Sequence, residues 1–530
     1  MCHDQVVTQP TQTNLADLLS ETASSRPDDI AFLDASHGFE TTWAALESSV
    51  DALAAGLLRQ GLVAGDRVAL LLGNRIEFVV SYFAILRAAM VAVPINTAFT
   101  TAEVTDLLAR SGARLVVAED ATELVALEAT RATPAELVLV GSTSFEALIR
   151  AGQRADAPHL ATGSQAFDPE SLAVLLFTSG TSGLSRGAML THRALLANIA
   201  QLRAIDPEPM LGDDVVLVVL PLFHIYALNA VLGLAVATGA RSVLLARFSP
   251  ETALEVIVTH GITHVPVAPP VLVAWARIPD LGRRLAGVRT VISGAAPLTR
   301  ALFDTFTAHA GHPVWEGYGL TEAAPVVSST MVYRRPKPGC VGSALPGVQV
   351  RLVEDSGVPG LRDLENSGGW DAPGDVEDGD PGEIWVRGPN LFSGYWPDGS
   401  DGPGPDGWYA TGDIAYADDD GDLHLVDRRR DLVIVSGFNV YPFEIETVIA
   451  SSPDVAEVAV IGIPHATTGE TVKALVVALP GHTLTGAQVS ALCESRLARF
   501  KCPTVVEIVE SLPHSSTGKI ARVRLRQDSL

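Results

Sequence analysis

Short apolar runs alternate along this chain with longer stretches of helical period. "RVALLL" (67–72) leads into "RIEFVVSYFAILRAA" (75–89) and then "AVPIN" (92–96), and "RLVVAED" (114–120) leads into "ATELVALEAT" (121–130). The rhythm continues through "SVLLARF" (242–248), "THVPVAPPVLVAWARI" (263–278) and "TVISGAAPL" (290–298). Continuous apolar runs of strand length, each followed by an amphipathic stretch, predict βαβ units and parallel sheet buried under helices. No internal repeat or heptad array interrupts this order. The pattern then changes. Residues 354–382 are acidic and rich in Gly and Pro, and 397–408 ("PDGSDGPGPDGW") repeat that composition, so both read as solvated loops. Between and after them lie short strands of more antiparallel character, "GEIWVRG" (382–388) and "DLHLVDR" (422–428). The last hundred or so residues hold "VAEVAVIGIP", "KALVVALP" and the helical "GAQVSALCESRLARF", a small α+β unit. The fold expectation is therefore α/β: a large N-terminal domain of parallel and mixed sheets covered by helices, with a small barrel-like region, spanning 1–427. A small mobile α+β domain follows over 428–530, and the seam is "DRRRD" at 427–431.

Length changes the picture little, since 530 residues already require two or more domains. Charge changes it more. A formal net charge of −24 argues against nucleic acid or an anionic membrane as the main partner. A polyanionic substrate would then have to meet a local basic cluster. Four cysteines, Cys2, Cys340, Cys493 and Cys502, lie scattered without metal-ligand spacing, as reduced thiols of a cytoplasmic protein would. The N-terminal "MCHDQVVTQPTQTN" lacks the pattern of a signal peptide. Residues 215–240 are apolar enough to span a bilayer, but they contain Pro221-Leu222-Phe223-His224 and no interfacial anchors. A buried strand, a turn and a buried helix fit that stretch better.

Within "LLFTSGTSGLSRGAML" (175–190) an apolar strand passes at once into three glycines and a cluster of hydroxyls. Glycines allow close backbone approach, and free N–H groups with Ser and Thr hydroxyls suit phosphate oxygens. A Walker loop is not matched. Five further stretches follow in order: "PLFHIYALN" (221–229), "SGAAPL" (293–298), "EGYGLTEAAPVV" (316–327), "WYATGD" with "VDRRRD" (408–413, 426–431), and "PHSSTGKIARVRLR" (513–526).

In that order the six motifs resemble the adenylate-forming superfamily of acyl-CoA synthetases, peptide-synthetase adenylation domains and luciferases, over nearly the full length. The resemblance implies that Thr178, Ser179, Gly180, Thr181, Ser182, Gly183 and Arg186 embrace the β- and γ-phosphates of ATP, with Ser185-Arg186 standing where the family usually has Pro-Lys. Arg keeps the charge and adds bidentate reach. It implies an acyl wall of His224, Tyr226, Asn229, Gly319, Pro325 and Val326, and a nucleotide surface of Gly294, Ala295, Ala296, Gly317, Tyr318 and Gly319. Thr321 would bond the α-phosphate, and Thr181 and Glu322 would hold Mg²⁺. Asp413, assisted by Arg428, would bind the ribose. Arg430 would be the hinge, Gly437 would line the pantetheine channel of coenzyme A, and Lys519 would be the mobile catalytic lysine. No acidic residue falls in 215–240 to hold an ammonium group, which speaks against an amino-acid-activating domain. The implied activity is an ATP-dependent carboxylic acid–CoA ligase acting on a medium- to long-chain fatty acid. Readings left open are a 4-coumarate or aryl acid ligase, an acyl-AMP ligase feeding a carrier protein, and a non-catalytic nucleotide sensor. Intact Lys519, Glu322 and Asp413 speak against the last.

Overall fold

The alternation of runs and helices resolves, in a computed structural model, into two large sheets with a third and fourth following in the chain. The structure describes residues 10–154, 167–178, 185–353, 376, 379–428, 431, 433–435, 438–465, 469–514 and 520–527. The first large sheet has six strands in the order Glu136–Leu139, Leu115–Ala118, Arg67–Leu71, Val91–Pro94, Leu172–Thr178, Arg186–Thr191. Its strands run parallel except the last, which turns back antiparallel on Leu172–Thr178. Val91–Pro94 and Leu115–Ala118 are buried at every position, which is why they read as unbroken apolar runs.

The second sheet has nine strands, ordered Ser343–Ala344, Val326–Ser329, Val314–Gly319, Thr290–Ser293, His264–Val267, Val215–Val218, Arg241–Leu244, Ile30–Asp34, Phe39–Thr42. It is parallel at the centre and antiparallel at both margins. The mixed margins were legible only as "mixed sheets"; their pairing was not. Helix Ile76–Arg87 belongs to the core shared by both sheets and is buried from Phe78 to Arg87. Arg87 is admitted there because its guanidinium reaches Asp51 at 2.6 Å, Glu47 at 2.9 Å and Ser20 at 2.8 Å.

The apolar stretch 215–240 is a strand (Val215–Val218), a turn, and a helix wound more widely than an α-helix over Tyr226–Gly233, continued by Leu234–Thr238. In that wide segment the Leu234 N–H bonds the Asn229 carbonyl, five residues back. No helix among the described residues is long and apolar enough to cross a membrane.

A four-stranded antiparallel sheet follows: Gln349–Val353, Gly382–Arg387, Tyr409–Ala417, Leu423–Arg428. Most of the acidic stretch 354–382 lies outside the described residues. The turn joining the last two strands gathers Asp418, Asp420 and Asp422. The Lys337 ammonium sits 2.8, 2.6 and 2.9 Å from their carboxylates, and Arg335 adds a bond to Asp420 at 3.0 Å. The C-terminal sheet pairs Val455–His465 with Gly469–Ala478 as a long hairpin; the other edge of Gly469–Ala478 takes Val505–Ile508 along its middle and Val433–Val435 at Gly469, and Phe438–Val440 pairs in turn with Val433–Val435. Cys340, Cys493 and Cys502 are free thiols, and burial raises the first two to about 11.

Candidate active site

The glycine-rich loop leaves the six-stranded sheet at Thr178 and returns at Arg186, and those two residues face each other across an antiparallel pair. Ser179, Gly180, Thr181, Ser182 and Gly183 lie outside the described residues. The neck of the loop is fixed from outside. Arg110, on helix Thr101–Ser111, donates to the Ser185 carbonyl while its guanidinium lies 5.2 Å from the centre of the Phe177 ring. The returning strand is extended by residues 393–396: Ser393 N–H bonds Met189 O at 3.0 Å, Met189 N–H bonds Gly394 O at 3.1 Å, and Trp396 N–H bonds Gly187 O at 2.8 Å. That pairing brings Tyr395 under Arg186, with the guanidinium carbon 3.7 Å from the ring centre. The Tyr395 hydroxyl donates to Glu322 Oε1 at 2.5 Å. Burial, and then the Glu322 charge, push the phenol well above its ordinary range, so it stays a donor.

Glu322 sits in a 3₁₀ turn, Thr321–Ala323, at the tip of the hairpin formed by Val314–Gly319 and Val326–Ser329. The hairpin closes tightly. Leu320 N–H bonds Pro325 O at 3.0 Å, and a Cβ on Gly319 would lie 2.2 Å from that same oxygen, so only glycine fits. Ala295 and Ala324 both hold positive φ, at 69° and 61°. Each such alanine stores about 1 kcal/mol or more of strain, and both fall in motifs singled out from the sequence.

Four wholly buried amides hold the turn in place. Asn198 exchanges hydrogen bonds with the Val326 backbone in both directions, at 2.8 and 3.1 Å. Asn229 donates to Ala324 O at 2.7 Å and to Leu195 O at 3.1 Å, and Asn390 donates to Ala323 O at 2.7 Å. Gln201 links the set, accepting from Asn198 and donating to Asn390. Asn229 was expected to line the acyl pocket. It is 0% exposed, and its amide nitrogen lies on the Leu195 and Ala324 carbonyls. It braces the Glu322 turn.

Tyr318, just before the tip on the first strand of the same hairpin, donates to Asp413 Oδ2 at 2.6 Å. Asp413 lies on Tyr409–Ala417 opposite the backbone of Arg428. Tyr226 packs its ring on Gly294, where a Cβ would come within 3.0 Å of it. Burial raises the Tyr226 phenol above its usual range, and its hydroxyl has no hydrogen-bond partner among the described residues. His224 is half-buried beside Phe223, their ring centres 5.0 Å apart. Val326 and Ala296 are half-buried, Pro325 is buried, and Ala295 is exposed. Gly437, Arg430 and Lys519 lie outside the described residues, as does the Arg428 side chain.

Sequence reasoning missed Arg110, Asn198, Gln201, Asn390, Tyr395 and Asp401. It also passed over Glu316 as a titrating group: the residue is 4% exposed, its Oε1 is unpartnered among the described residues, and burial raises its carboxyl to about 8.

A hairpin presenting an acid and a tyrosine to two neighbouring sheets, beside a glycine loop, is an arrangement with known counterparts. The AMP-binding enzyme family matches residues 19–396, and its C-terminal domain family matches 444–519. A long-chain-fatty-acid–CoA ligase of Yersinia pestis is 34% identical, over 98% of this chain and 95% of its own. The 4-coumarate–CoA ligase 5 of Oryza sativa subsp. japonica is also 34% identical, with the same coverage. ATP-bound MatB from Rhodopseudomonas palustris superposes with a TM-score of 0.86 at 32% identity, over 97% of this chain and 99% of that one. The chain belongs to the AMP-binding enzyme family, the adenylate-forming ligases. In activity it is an AMP-forming acid–thiol ligase.

Proposed function

We propose that the chain activates a carboxylic acid, a medium- to long-chain fatty acid in the first instance, as its acyl-AMP and then transfers the acyl group to coenzyme A. The observation that carries this reading is the single hairpin 314–329, which points Tyr318 at Asp413 and Glu322 at the Arg186–Tyr395 stack. In this reading Asp413 would meet the ribose and Arg186 the outer phosphates, a few residues of hairpin apart.

The chemical obstacle is that carboxylate must approach phosphate. Two unit charges about 4 Å apart repel by roughly 4 kcal/mol at an effective dielectric of ~20, and several such pairs oppose the encounter. Arg186, with the 179–184 loop, would hold the β- and γ-phosphates that leave as pyrophosphate. Thr321 would bond the α-phosphate, and Lys519 would approach the bridging oxygen from the C-terminal domain. The donor set fits Mg²⁺: Glu322 is a hard oxygen donor, its Oε1 held by Tyr395 and its Oε2 without a partner among the described residues. Bound by Glu322 and Thr181, the ion would supply charge neutralisation on the phosphates. The substrate itself is the nucleophile, so no side-chain nucleophile is needed. In this reading residues 428–530 form the small domain that turns about Arg430 between the two half-reactions, withdrawing Lys519 and bringing Gly437 to the thiol path.

An aryl acid is the second reading, favoured by the equal likeness to the fatty-acid and 4-coumarate ligases. Pyrophosphate release on mixing ATP, Mg²⁺ and graded aliphatic and cinnamic acids decides between them; CoA-dependent AMP formation tests the thiol acceptor against a carrier protein. Release with none of the acids would overturn the proposal. Lys519→Ala should abolish pyrophosphate release and largely spare thioester formation from supplied acyl-AMP. Equal loss of both half-reactions would contradict the role given to Lys519.

A further inference from the structure

Arg186 is held in three ways. Its backbone closes the neck of the glycine-rich loop opposite Thr178, its guanidinium carbon lies 3.7 Å from the centre of the Tyr395 ring, and its Nη2 donates to Asp401 Oδ2 at 2.7 Å. Asp401 comes from the 397–408 loop, more than two hundred residues along the chain. Its side chain is 67% exposed, against 33% for Arg186. Asp398, one turn earlier, also feels Arg186, though the Ser400 N–H chiefly accounts for its lowered pKa.

We propose that Asp401 is the resting counter-ion of Arg186, a positioning residue that holds the guanidinium at the neck of the loop, beside Tyr395, and yields it to the outer phosphates when nucleotide binds. The inference rests on the phosphate role given to Arg186 above. A guanidinium has five N–H donors in a planar fork, and one exposed carboxylate engages only part of it. A phosphate chain offers several anionic oxygens in bidentate geometry and displaces that carboxylate. The contact with Tyr395 persists through the exchange, because it is made to the ring and not to the Asp401 carboxylate that leaves. Since the exposed pair is weak, surrendering it lowers nucleotide affinity only modestly, by about two- to fivefold. The same carboxylate competes for Arg186 when pyrophosphate departs, so Asp401 favours product release as well as orientation.

Calorimetric titration with an ATP analogue carrying a methylene α,β-bridge, with pyrophosphate and with AMP, in the presence of Mg²⁺, tests this. Asp401→Asn should tighten the analogue and pyrophosphate by about two- to fivefold and leave AMP unchanged. Asp401→Glu should restore wild-type affinities, and in an Arg186→Gln background Asp401→Asn should change nothing. A gain of the same size in that background would mean plain charge repulsion and would overturn the inference. So would wild-type affinity in Asp401→Asn while Arg186→Gln alone weakens the analogue by about tenfold or more. If Arg186→Gln leaves the analogue and pyrophosphate unaffected, the phosphate role itself fails, a separate result that removes the ground of the inference.

Discussion

Replacing Glu316 by Gln should raise the stability of this protein at pH 8 and leave it unchanged or slightly lowered at pH 5. Glu316 is 4% exposed on the strand before Tyr318, and burial lifts its carboxyl from 4.5 to about 8, against the smaller opposing effect of the Leu298 and Gly339 N–H groups. Between those two values the unfolded chain has lost a proton that the native state keeps. Stability is therefore full below pH 4.5 and falls as pH rises toward 8. At about 1.4 kcal/mol per pH unit, the carboxyl withholds about 3 kcal/mol at pH 7 and about 5 near pH 8. Gln preserves the shape and an acceptor for the two N–H groups but cannot titrate. Its amide nitrogen inherits the unpartnered position of Oε1, a pH-independent cost of about 1 kcal/mol. For a chain of this length the unfolding entropy is of order 1 kcal/mol per kelvin, so the Tm difference between variant and wild type should move by about 4 °C in favour of Gln from pH 5 to pH 8. Differential scanning fluorimetry at half-unit steps reads this directly. A Tm difference that stays constant over the range would refute the reasoning.

Tyr318→Phe removes the 2.6 Å donor to Asp413 and should raise KM for ATP by about tenfold, with a smaller fall in kcat; an unchanged KM would remove Tyr318 from the ribose site. His192 is buried, accepts the Leu15 N–H at 3.0 Å and is pushed down by burial to about 4, so the unfolded chain takes up its proton first and stability should drop as pH falls from 6.5 toward 4. His192→Asn, which keeps the acceptor, should flatten that acid limb in a thermal melt series even if it lowers Tm throughout. An acid limb as steep as wild type would show that other groups cause it.

Much of the fold was legible because parallel strands buried on both faces cannot avoid being apolar runs. Arg67–Leu71, Val91–Pro94, Leu115–Ala118 and Thr290–Ser293 all stand where such runs predict them. The antiparallel return of Arg186–Thr191 was hidden, since pairing direction leaves no trace in local period. At the site, Gly294, Gly319, Tyr318 and Glu322 could be singled out through the six ordered motifs that carry the resemblance. The amide brace could not. In "HRALLANIAQLR" Asn198 and Gln201 fall three apart, the spacing of a solvated face, yet both are fully buried against a hairpin more than a hundred residues away. The one available signal was that the flanking helix positions are apolar nearly all round.

The Asp418–Asp420–Asp422 turn has the look of a calcium loop, but the polypeptide brings its own cation to it in Lys337. With Lys337 neutralising the carboxylates, EDTA should leave the architecture of that corner intact. The vulnerability is transferred to a single amine. Acetylating or carbamylating Lys337 would remove the amine that all three carboxylates share and leave Arg335 on Asp420 and His424 on Asp418, at the base of the strand that carries Asp413.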